Sequence, residues 1–195
     1  MSKSERIGVF GGTFDPIHNA HLDIARAAMA FATVDVVLFV VSASPPHKQA
    51  GVGASAEQRL AMVEAALSGE EGLEPCDIEM RREGPSYMAI TLSELSAQYP
   101  GAKLHLIVGM DSLVDIPNWR EPEEILSLAR ILVVSRPGEP QDISQSLEGK
   151  YDLVPFEESE VSSTEVRRRI GVGESLEGLV PSGVLAIIEE SKIYE

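Results

Sequence analysis

The stretch GGTFDPIHNAH, residues 11–21, follows a short apolar run at residues 7–10 and precedes a helical pattern that begins at Asn19. Glycines between a strand and a helix let an anion approach backbone N–H groups, and the helix N-terminus adds partial positive charge there. His18 and His21 lie three residues apart at the start of the predicted helix, so their side chains point to the same side. The stretch indicates an anion-binding turn after the first strand. The alternative is that one histidine caps the helix and the other packs.

The rest of the chain alternates apolar, strand-like runs with helical patterns. Strands are predicted at residues 7–10, 36–41, 76–80, 104–108, 131–135 and 152–156, and helices at residues 19–32, 55–67, 86–98, 122–129, 162–170 and 181–191. Ser55 with Gln58, and Ser162 with Glu165, each have the spacing of a capping box. This alternation predicts the α/β class, a single Rossmann-like, doubly wound parallel sheet with helices on both faces. We expect one domain over residues 1–195.

The unusual polar clusters each follow a predicted strand. SASPPHK (42–48), GMDS (109–112) and SRPG (135–138) come directly after the second, fourth and fifth strands, and SSTEVR (162–167) comes soon after the sixth. Ligands of open α/β sheets bind outside the carboxyl ends of the strands. We therefore expect these clusters and the histidine stretch to form one site at one edge of the sheet.

The composition limits the environment and the partners of the protein. The chain has 195 residues and a formal net charge of −15, which disfavours a nucleic-acid partner. Cys76 is the only cysteine, so no intramolecular disulfide forms, and a cytoplasmic location is expected. The polar first residues contain no apolar segment long enough for secretion or membrane spanning, and we expect no membrane partner. The oligomeric state is left open, with a homo-oligomer as one alternative.

The sequence does not support either of two standard phosphate-binding motifs. The pattern G-x-x-x-x-G-K-[ST] does not occur, which disfavours a P-loop phosphotransferase. Gly51, Gly53 and Ala56 have the spacing of a dinucleotide fingerprint, but they lie several residues beyond their strand and behind two prolines. A fingerprint joins its strand directly. This segment is predicted to be a flexible loop before a capped helix.

The motifs carry a family resemblance. GGTFDPIHNAH closely resembles the T/HxGH signature of the nucleotidyltransferase superfamily, and SSTEVR resembles its second signature. PPHK, GPSY, GMDSL with NW, and SRPG resemble the bacterial nicotinate-nucleotide adenylyltransferases, and the resemblance runs from about residue 7 to residue 193. Two positions depart from the family pattern: Ala20 stands where the family has Gly, and Met88 where it tends to have Thr.

The resemblance implies transfer of AMP from ATP to nicotinate mononucleotide, giving nicotinate adenine dinucleotide and pyrophosphate. A phosphate monoester has a second pKa of about 6 and is mostly dianionic at pH 7, so this nucleophile needs no general base. The reaction instead needs groups that align two polyanions and hold the charge that develops between them. Mg²⁺ is expected to be carried by ATP or pyrophosphate, with no metal ligands from the protein.

The resemblance also assigns roles to individual residues. The implied catalytic residues are His18, His21 and Arg167. The implied ATP contacts are Gly11, Gly12, Thr13, Phe14, Ser162, Ser163, Thr164 and Arg136. The implied mononucleotide contacts are Lys48, Tyr87, Met88, Asp111, Trp119 and Arg120. Trp119 is the only tryptophan and lies in a polar, proline-flanked stretch, which suits stacking on a pyridine ring. Arg168 and Arg169 are expected to form a solvated helix face, and an exposed surface lysine is the alternative for Lys48.

Two other functions remain as alternatives. Pantetheine-phosphate adenylyltransferase belongs to the same superfamily, but its members are usually shorter and lack the PPHK and NW elements. A regulatory protein that binds nucleotides without catalysis is the second alternative. Loss of either histidine or of Arg167 would favour it, and all three residues are present.

Overall fold

The computed structural model describes residues 5–44, 53–135, 143–156 and 161–194. In these ranges the strands are β1 (Arg6–Gly12), β2 (Val36–Val41), β3 (Leu73–Cys76), β4 (Lys103–Gly109), β5 (Ala129–Ser135) and β6 (Tyr151–Pro155). The α-helices are α1 (Asn19–Ala32), α2 (Ala56–Leu67), α3 (Met88–Gln98), α4 (Met110–Asp115), α5 (Pro122–Leu128), α6 (Ser163–Val172) and α7 (Ser182–Ser191). None of these helices is both long and apolar enough to cross a membrane.

The six strands form one sheet in the order β3-β2-β1-β4-β5-β6, and every neighbouring pair is parallel. The chain moves outward from β1 to β3, then returns to the other side of β1 and moves outward again from β4 to β6. The order therefore reverses between β1 and β4, which is the switch point of a doubly wound sheet. The prediction of a Rossmann-like α/β fold is confirmed.

Apolar side chains of the strands alternate between two cores, one on each face of the sheet. Three side chains of β2, those of Val37, Phe39 and Val41, pack with apolar residues of α1, α2, α6 and α7. Leu38 and Val40 point to the opposite face and pack with residues of α3, α4 and α5. A parallel strand covered on both faces needs apolar residues at every position, which explains the unbroken run VVLFVV.

Two local predictions differ from the structure. The third strand was predicted at residues 76–80, whereas β3 ends at Cys76 and a 3₁₀ turn occupies Ile78–Arg81. β3 contains Pro75, which cannot donate to a sheet, but β3 is an edge strand that pairs only with β2, so the missing N–H is tolerated. The short helix α4 directly after β4 was not predicted.

The two predicted capping boxes have different outcomes. Ser55 and Gln58 form the complete box, because each side chain bonds the backbone N–H of the other, at 3.2 and 2.8 Å. Ser162 Oγ accepts from Glu165 N at 3.2 Å, which is the expected half of the second box. The other half is wrong, since the Glu165 carboxylate accepts from Arg168 and Arg169 instead.

Candidate active site

The carboxyl ends of β1 and β4 border a cavity of about 940 Å³. It lies at the switch point of the sheet, where doubly wound proteins bind their ligands. Its volume is at the upper end of the range for small-molecule pockets, about 300–1,000 Å³. Eight of the residues predicted from the sequence line it: Gly11, Gly12, Thr13, Tyr87, Met88, Asp111, Trp119 and Arg120.

Further polar residues line the cavity that sequence reasoning did not assign to the site: Ser42, Glu79, Ser86, Ser112, Asp115 and Asn118. Ser86 has a clear structural role, because its Oγ accepts from Ala43 N and Ser44 N at 3.1 and 3.2 Å. These bonds hold the loop after β2 against the segment that precedes α3. The only available signal for Ser86 was its place in the GPSY motif.

Trp119 forms one wall of the cavity in a fixed orientation. Its indole Nε1 donates to Asp115 Oδ2 at 3.0 Å, and Asn118 Nδ2 donates to Asp115 Oδ1 at 3.0 Å. The guanidinium of Arg120 lies 4.8 Å from the centre of the Tyr87 ring, within the range of a cation–π contact. The indole, the phenol ring and the guanidinium provide flat surfaces suited to a planar ring.

The first turn of α3 forms another wall. Tyr87 is the N-cap residue and Met88 the first helical residue, and no described side chain caps this end. The first amides of a helix have no partner within the helix, so they are available to an anion. A negatively charged group placed beside Met88 would meet these N–H groups whatever side chain stands at that position.

The two glycines after β1 face side chains of the protein itself. A Cβ at Gly11 would lie 2.6 Å from the terminal methyl of Met88, and a Cβ at Gly12 would lie 2.8 Å from the Phe14 ring. Both distances are shorter than any real Cβ contact. Packing against the buried Phe14 ring is therefore one reason for glycine at position 12, whereas at position 11 the obstacle is the flexible end of Met88. Nucleotide contact remains a prediction at both positions.

His18 and His21 form a stacked pair at the start of α1. Their ring centres are 3.7 Å apart at an angle of 30°, as their spacing predicted. His18 is the N-cap residue, and its backbone N–H donates to His21 Nδ1 at 3.2 Å. An Nδ1 that accepts this bond carries no proton, so neutral His21 carries its proton on Nε2. The His21 ring also packs edge-on against Phe14, with ring centres 5.1 Å apart.

His18 is uncharged at neutral pH. Only 5% of its surface is exposed, and this burial lowers the pKa of the imidazole to about 4. Among the described residues its Nδ1 is one of two buried side-chain atoms without a hydrogen-bond partner, and the other is Glu79 Oε2. Unpartnered buried polar atoms are rare and are often found at functional sites. His18 can therefore interact with phosphate as a neutral hydrogen-bond donor.

Helix α6 contacts the loop after β1 through two of its predicted site residues. Arg167 Nη1 donates to the backbone oxygen of Asp15 at 2.6 Å, and Ser163 Oγ donates to that of Pro16 at 2.9 Å. The side chains of Ser162 and Thr164 are exposed at the same helix end. The second signature is thus placed beside the histidine loop, although the two are about 150 residues apart in sequence.

The three consecutive arginines of α6 have different surroundings. Arg168 binds Glu165 and Glu174, with its shortest contacts at 2.8 Å, and Arg169 binds Glu165 at 2.9 Å. These ion pairs lie on the outer face of the helix. Arg167 instead reaches inward to Asp15, and about a third of its side chain is exposed. The contacts of Arg167 therefore differ from those of Arg168 and Arg169, and its role in binding ATP stays a prediction.

Two predicted site residues, Lys48 and Arg136, lie outside the described residues, and so does most of the PPHK and SRPG motifs. Within the described ranges, no group of three or more His, Cys, Asp or Glu side chains is arranged to hold a metal ion.

The histidine pair follows β1 at the switch point of a doubly wound sheet, where Gly11–Thr13 line a cavity suited to a planar ring. This arrangement is typical of nucleotide-binding α/β proteins. The sequence matches the cytidylyltransferase-like family over residues 9–169, most of the chain. The chain belongs to this family and, within it, to the nicotinate-nucleotide adenylyltransferases, as the relatives below show.

Similar sequences cover almost the full length of the chain. A relative from Gloeobacter violaceus is 39% identical over 98% of this chain and 97% of its own. Relatives from Rhodopirellula baltica and Shouchella clausii are 37% and 38% identical, over 96% and 97% of this chain and 92% and 97% of theirs. All three bear the name "Probable nicotinate-nucleotide adenylyltransferase". The family resemblance read from the sequence is confirmed.

Solved structures share the fold. The nicotinic acid mononucleotide adenylyltransferase of Plasmodium falciparum superimposes with a TM-score of 0.76 in its complex with APC and 0.75 in its complex with NaAD. Sequence identity is 17% and 18%, and each alignment covers 97% of both chains. At this identity the likeness supports the fold.

Proposed function

We propose that the protein transfers AMP from ATP to nicotinate mononucleotide, and that the residues at the β1–β4 switch point carry out this reaction. One observation carries the assignment of the site. Gly11–Thr13 line the cavity that contains Trp119 and the start of α3, and the same segment leads directly into the loop that contains the histidine pair. We therefore expect a mononucleotide in the cavity to place its phosphate beside a triphosphate held at the histidines.

In the proposed reaction, an oxygen of the mononucleotide phosphate attacks the α-phosphorus of ATP. One P–O bond forms, the bond between the α-phosphorus and the bridging oxygen breaks, and pyrophosphate leaves with the electron pair. No proton has to be removed from the nucleophile. The contribution of the protein is alignment and charge stabilisation by hydrogen-bond donors: the imidazoles of His18 and His21, and Arg167 on the pyrophosphate side.

Mg²⁺ is proposed to enter as the ATP complex. The bound ion would offset phosphate charge. Asp111, in the first turn of α4, is exposed and borders the cavity, so its carboxylate is available to the substrates or to their hydration shell.

In the acceptor site, the pyridine ring is proposed to stack on Trp119, with its carboxylate at main-chain N–H groups near Met88 and Arg120. The structure supports this pose through the fixed indole and the uncapped first turn of α3. Main-chain donors are independent of the side chain at position 88, so the departure from the family pattern leaves them in place. The nicotinamide form has a neutral carboxamide in place of the carboxylate, and charge-assisted hydrogen bonds are about twice as strong as neutral ones.

The deciding experiment measures pyrophosphate release from ATP with three acceptors: nicotinate mononucleotide, nicotinamide mononucleotide and phosphopantetheine. We expect kcat/KM for the nicotinate form to exceed that for the nicotinamide form by at least about tenfold, or about 1.4 kcal/mol. Activity with phosphopantetheine alone would assign the pantetheine reaction instead. No release with any acceptor would favour a nucleotide-binding regulator, and equal use of both mononucleotides would refute the carboxylate site.

The remaining partner predictions follow from composition. With a net charge of −15, nucleic acid is not a proposed partner, and a single cysteine suits the reducing environment of the cytoplasm, where we propose the enzyme acts.

A further inference from the structure

The Asp15 carboxylate, in the loop after β1, contacts several segments of the chain. Asp15 is buried, with 4% of its surface exposed, and its carboxylate accepts three hydrogen bonds. Gly53 N donates to Oδ2 at 2.8 Å, while Ala54 N and the Tyr194 hydroxyl donate to Oδ1 at 3.0 and 2.7 Å. The donors come from the segment before α2 and from the segment after α7. The carboxylate therefore fastens two distant parts of the chain to this loop.

Arg59 of α2 reaches the same loop from the interior. Only 2% of its surface is exposed, its Nη1 donates to Thr13 O at 2.7 Å, and its Nε donates to Ala54 O at 3.3 Å. Burial lowers the pKa of this guanidinium, and the negative charge of Asp15 opposes that shift. A buried charge requires such compensation by hydrogen bonds and an opposite charge.

Three backbone carbonyls within residues 13–16 thus have a side-chain donor. Arg59 binds Thr13 O, while Arg167 and Ser163 bind the carbonyls of Asp15 and Pro16. This segment leads into the N-cap histidine of α1. Displacement of the loop would move the histidine pair and Arg167 relative to each other, and both are proposed to bind phosphates of ATP.

We propose that Tyr194 and Arg59 are positioning residues for adenylyl transfer. Through Asp15 and Thr13 they fix the loop of residues 13–16, and with it the placement of the histidine pair opposite Arg167. This inference rests on the proposed function of the site. It assigns a role in the reaction to two residues that do not line the cavity and that no sequence motif marked.

Tyr194 is suited to this role because its hydroxyl remains a donor at every pH used to assay the enzyme. Burial and the neighbouring Asp15 carboxylate raise the pKa of this hydroxyl well above its usual value. The ring itself packs against the segment before α2, where a Cβ on Gly53 would lie 2.7 Å from the Tyr194 ring. The hydroxyl can therefore be removed while the packing of the ring is kept.

The main test is Tyr194→Phe, with Tyr151→Phe on β6 as the matched control. We expect Tyr194→Phe to lower kcat about tenfold, to raise KM for ATP, and to leave KM for nicotinate mononucleotide within twofold. The control should retain the kinetics of the unchanged protein. Arg59→Lys keeps the charge but replaces the planar, multi-donor guanidinium by a single ammonium, and the same selective loss is expected.

A second measurement does not depend on activity. The protein has four histidines, so the ring resonances of His18 and His21 can be followed by NMR with His105 on β4 as an internal reference. Tyr194→Phe and Arg59→Lys should shift the resonances of His18 and His21 and leave His105 unchanged. A shift in an otherwise inactive protein would support the positioning role while the proposed reaction fails.

Three results would overturn the inference. One is unchanged kcat together with unchanged histidine resonances in Tyr194→Phe. Another is an equal loss of activity in the Tyr151→Phe control. The third is a loss of activity that matches a loss of folded protein, measured by circular dichroism, with normal kinetics for the folded fraction.

Discussion

The buried, neutral state of His18 makes acid stability a direct test of the site. The pKa of the imidazole is 6.5 in an unfolded chain and about 4 in the folded protein. Between these values the unfolded state binds more protons than the folded state, so stability rises with pH through this window. Acidification from pH 7 should therefore remove stability progressively as the pH falls below 6.5, and the loss should level off below pH 4.

The size of the effect follows from the two pKa values. Each pH unit between them corresponds to about 1.4 kcal/mol, so the contribution of His18 to the loss is about 2 kcal/mol at pH 5 and about 3 kcal/mol at pH 4. The side chain is only 5% exposed, so solvent screening does not reduce this figure much. A loss of this size is a large part of the stability of an ordinary domain, about 5–15 kcal/mol.

The assay is urea unfolding at several pH values for the unchanged protein and for His18→Gln. Other groups titrate in both proteins, so the difference between the two pH profiles isolates His18. We expect the unchanged protein to lose about 2 kcal/mol more than the variant between pH 7 and pH 5. An NMR titration of the His18 ring gives the folded pKa directly. Parallel pH profiles, or a titration midpoint at pH 6 or above, would refute the neutral state of His18.

Three further predictions concern the reaction. His18→Ala should lower kcat by about 100-fold, the scale of losing one donor to a developing charge, with a small effect on KM for the mononucleotide; a variant with nearly full kcat would remove His18 from the mechanism. Arg167→Ala should impair the use of ATP far more than Arg168→Ala or Arg169→Ala in steady-state kinetics, and equal small losses at all three would assign the whole run to the solvated helix face. Trp119→Ala should raise KM for the mononucleotide about tenfold or more, because stacking of a base on an aromatic ring contributes about 1–3 kcal/mol, and should leave KM for ATP nearly unchanged. A comparable rise in both KM values would place Trp119 outside the acceptor site.

Much of the fold could be predicted because its signals are local. Strands covered on both faces are uniformly apolar, and the helices that alternate with them begin at recognisable caps such as Ser55. The third strand was misplaced because Pro75 argues against a strand in the sequence, and only the sheet order reveals that β3 is an edge. Local patterns contain no information about which strands lie at the edges.

The residues of the candidate site also differ in whether the sequence alone reveals them. Residues in motifs, such as His18 and Trp119, could be found from the sequence, because their chemistry and neighbours are unusual. Tyr194 could not, since its partner Asp15 lies 179 residues away and a tyrosine near a helix end has no distinctive pattern. Arg59 resembles any exposed helix arginine in sequence, and only the folded chain shows that it is buried.

The two glycines that end β1 should respond differently to the same added methyl group. At Gly11 the obstacle is the terminal methyl of Met88, which can rotate away at little cost but borders the cavity when it does so. At Gly12 the obstacle is the buried ring of Phe14, packed among Phe10, Phe39 and His21, which cannot rotate away. Alanine at the first position would thus alter the shape of the ligand cavity and leave the fold intact, whereas alanine at the second would disrupt the aromatic packing beneath the histidine loop.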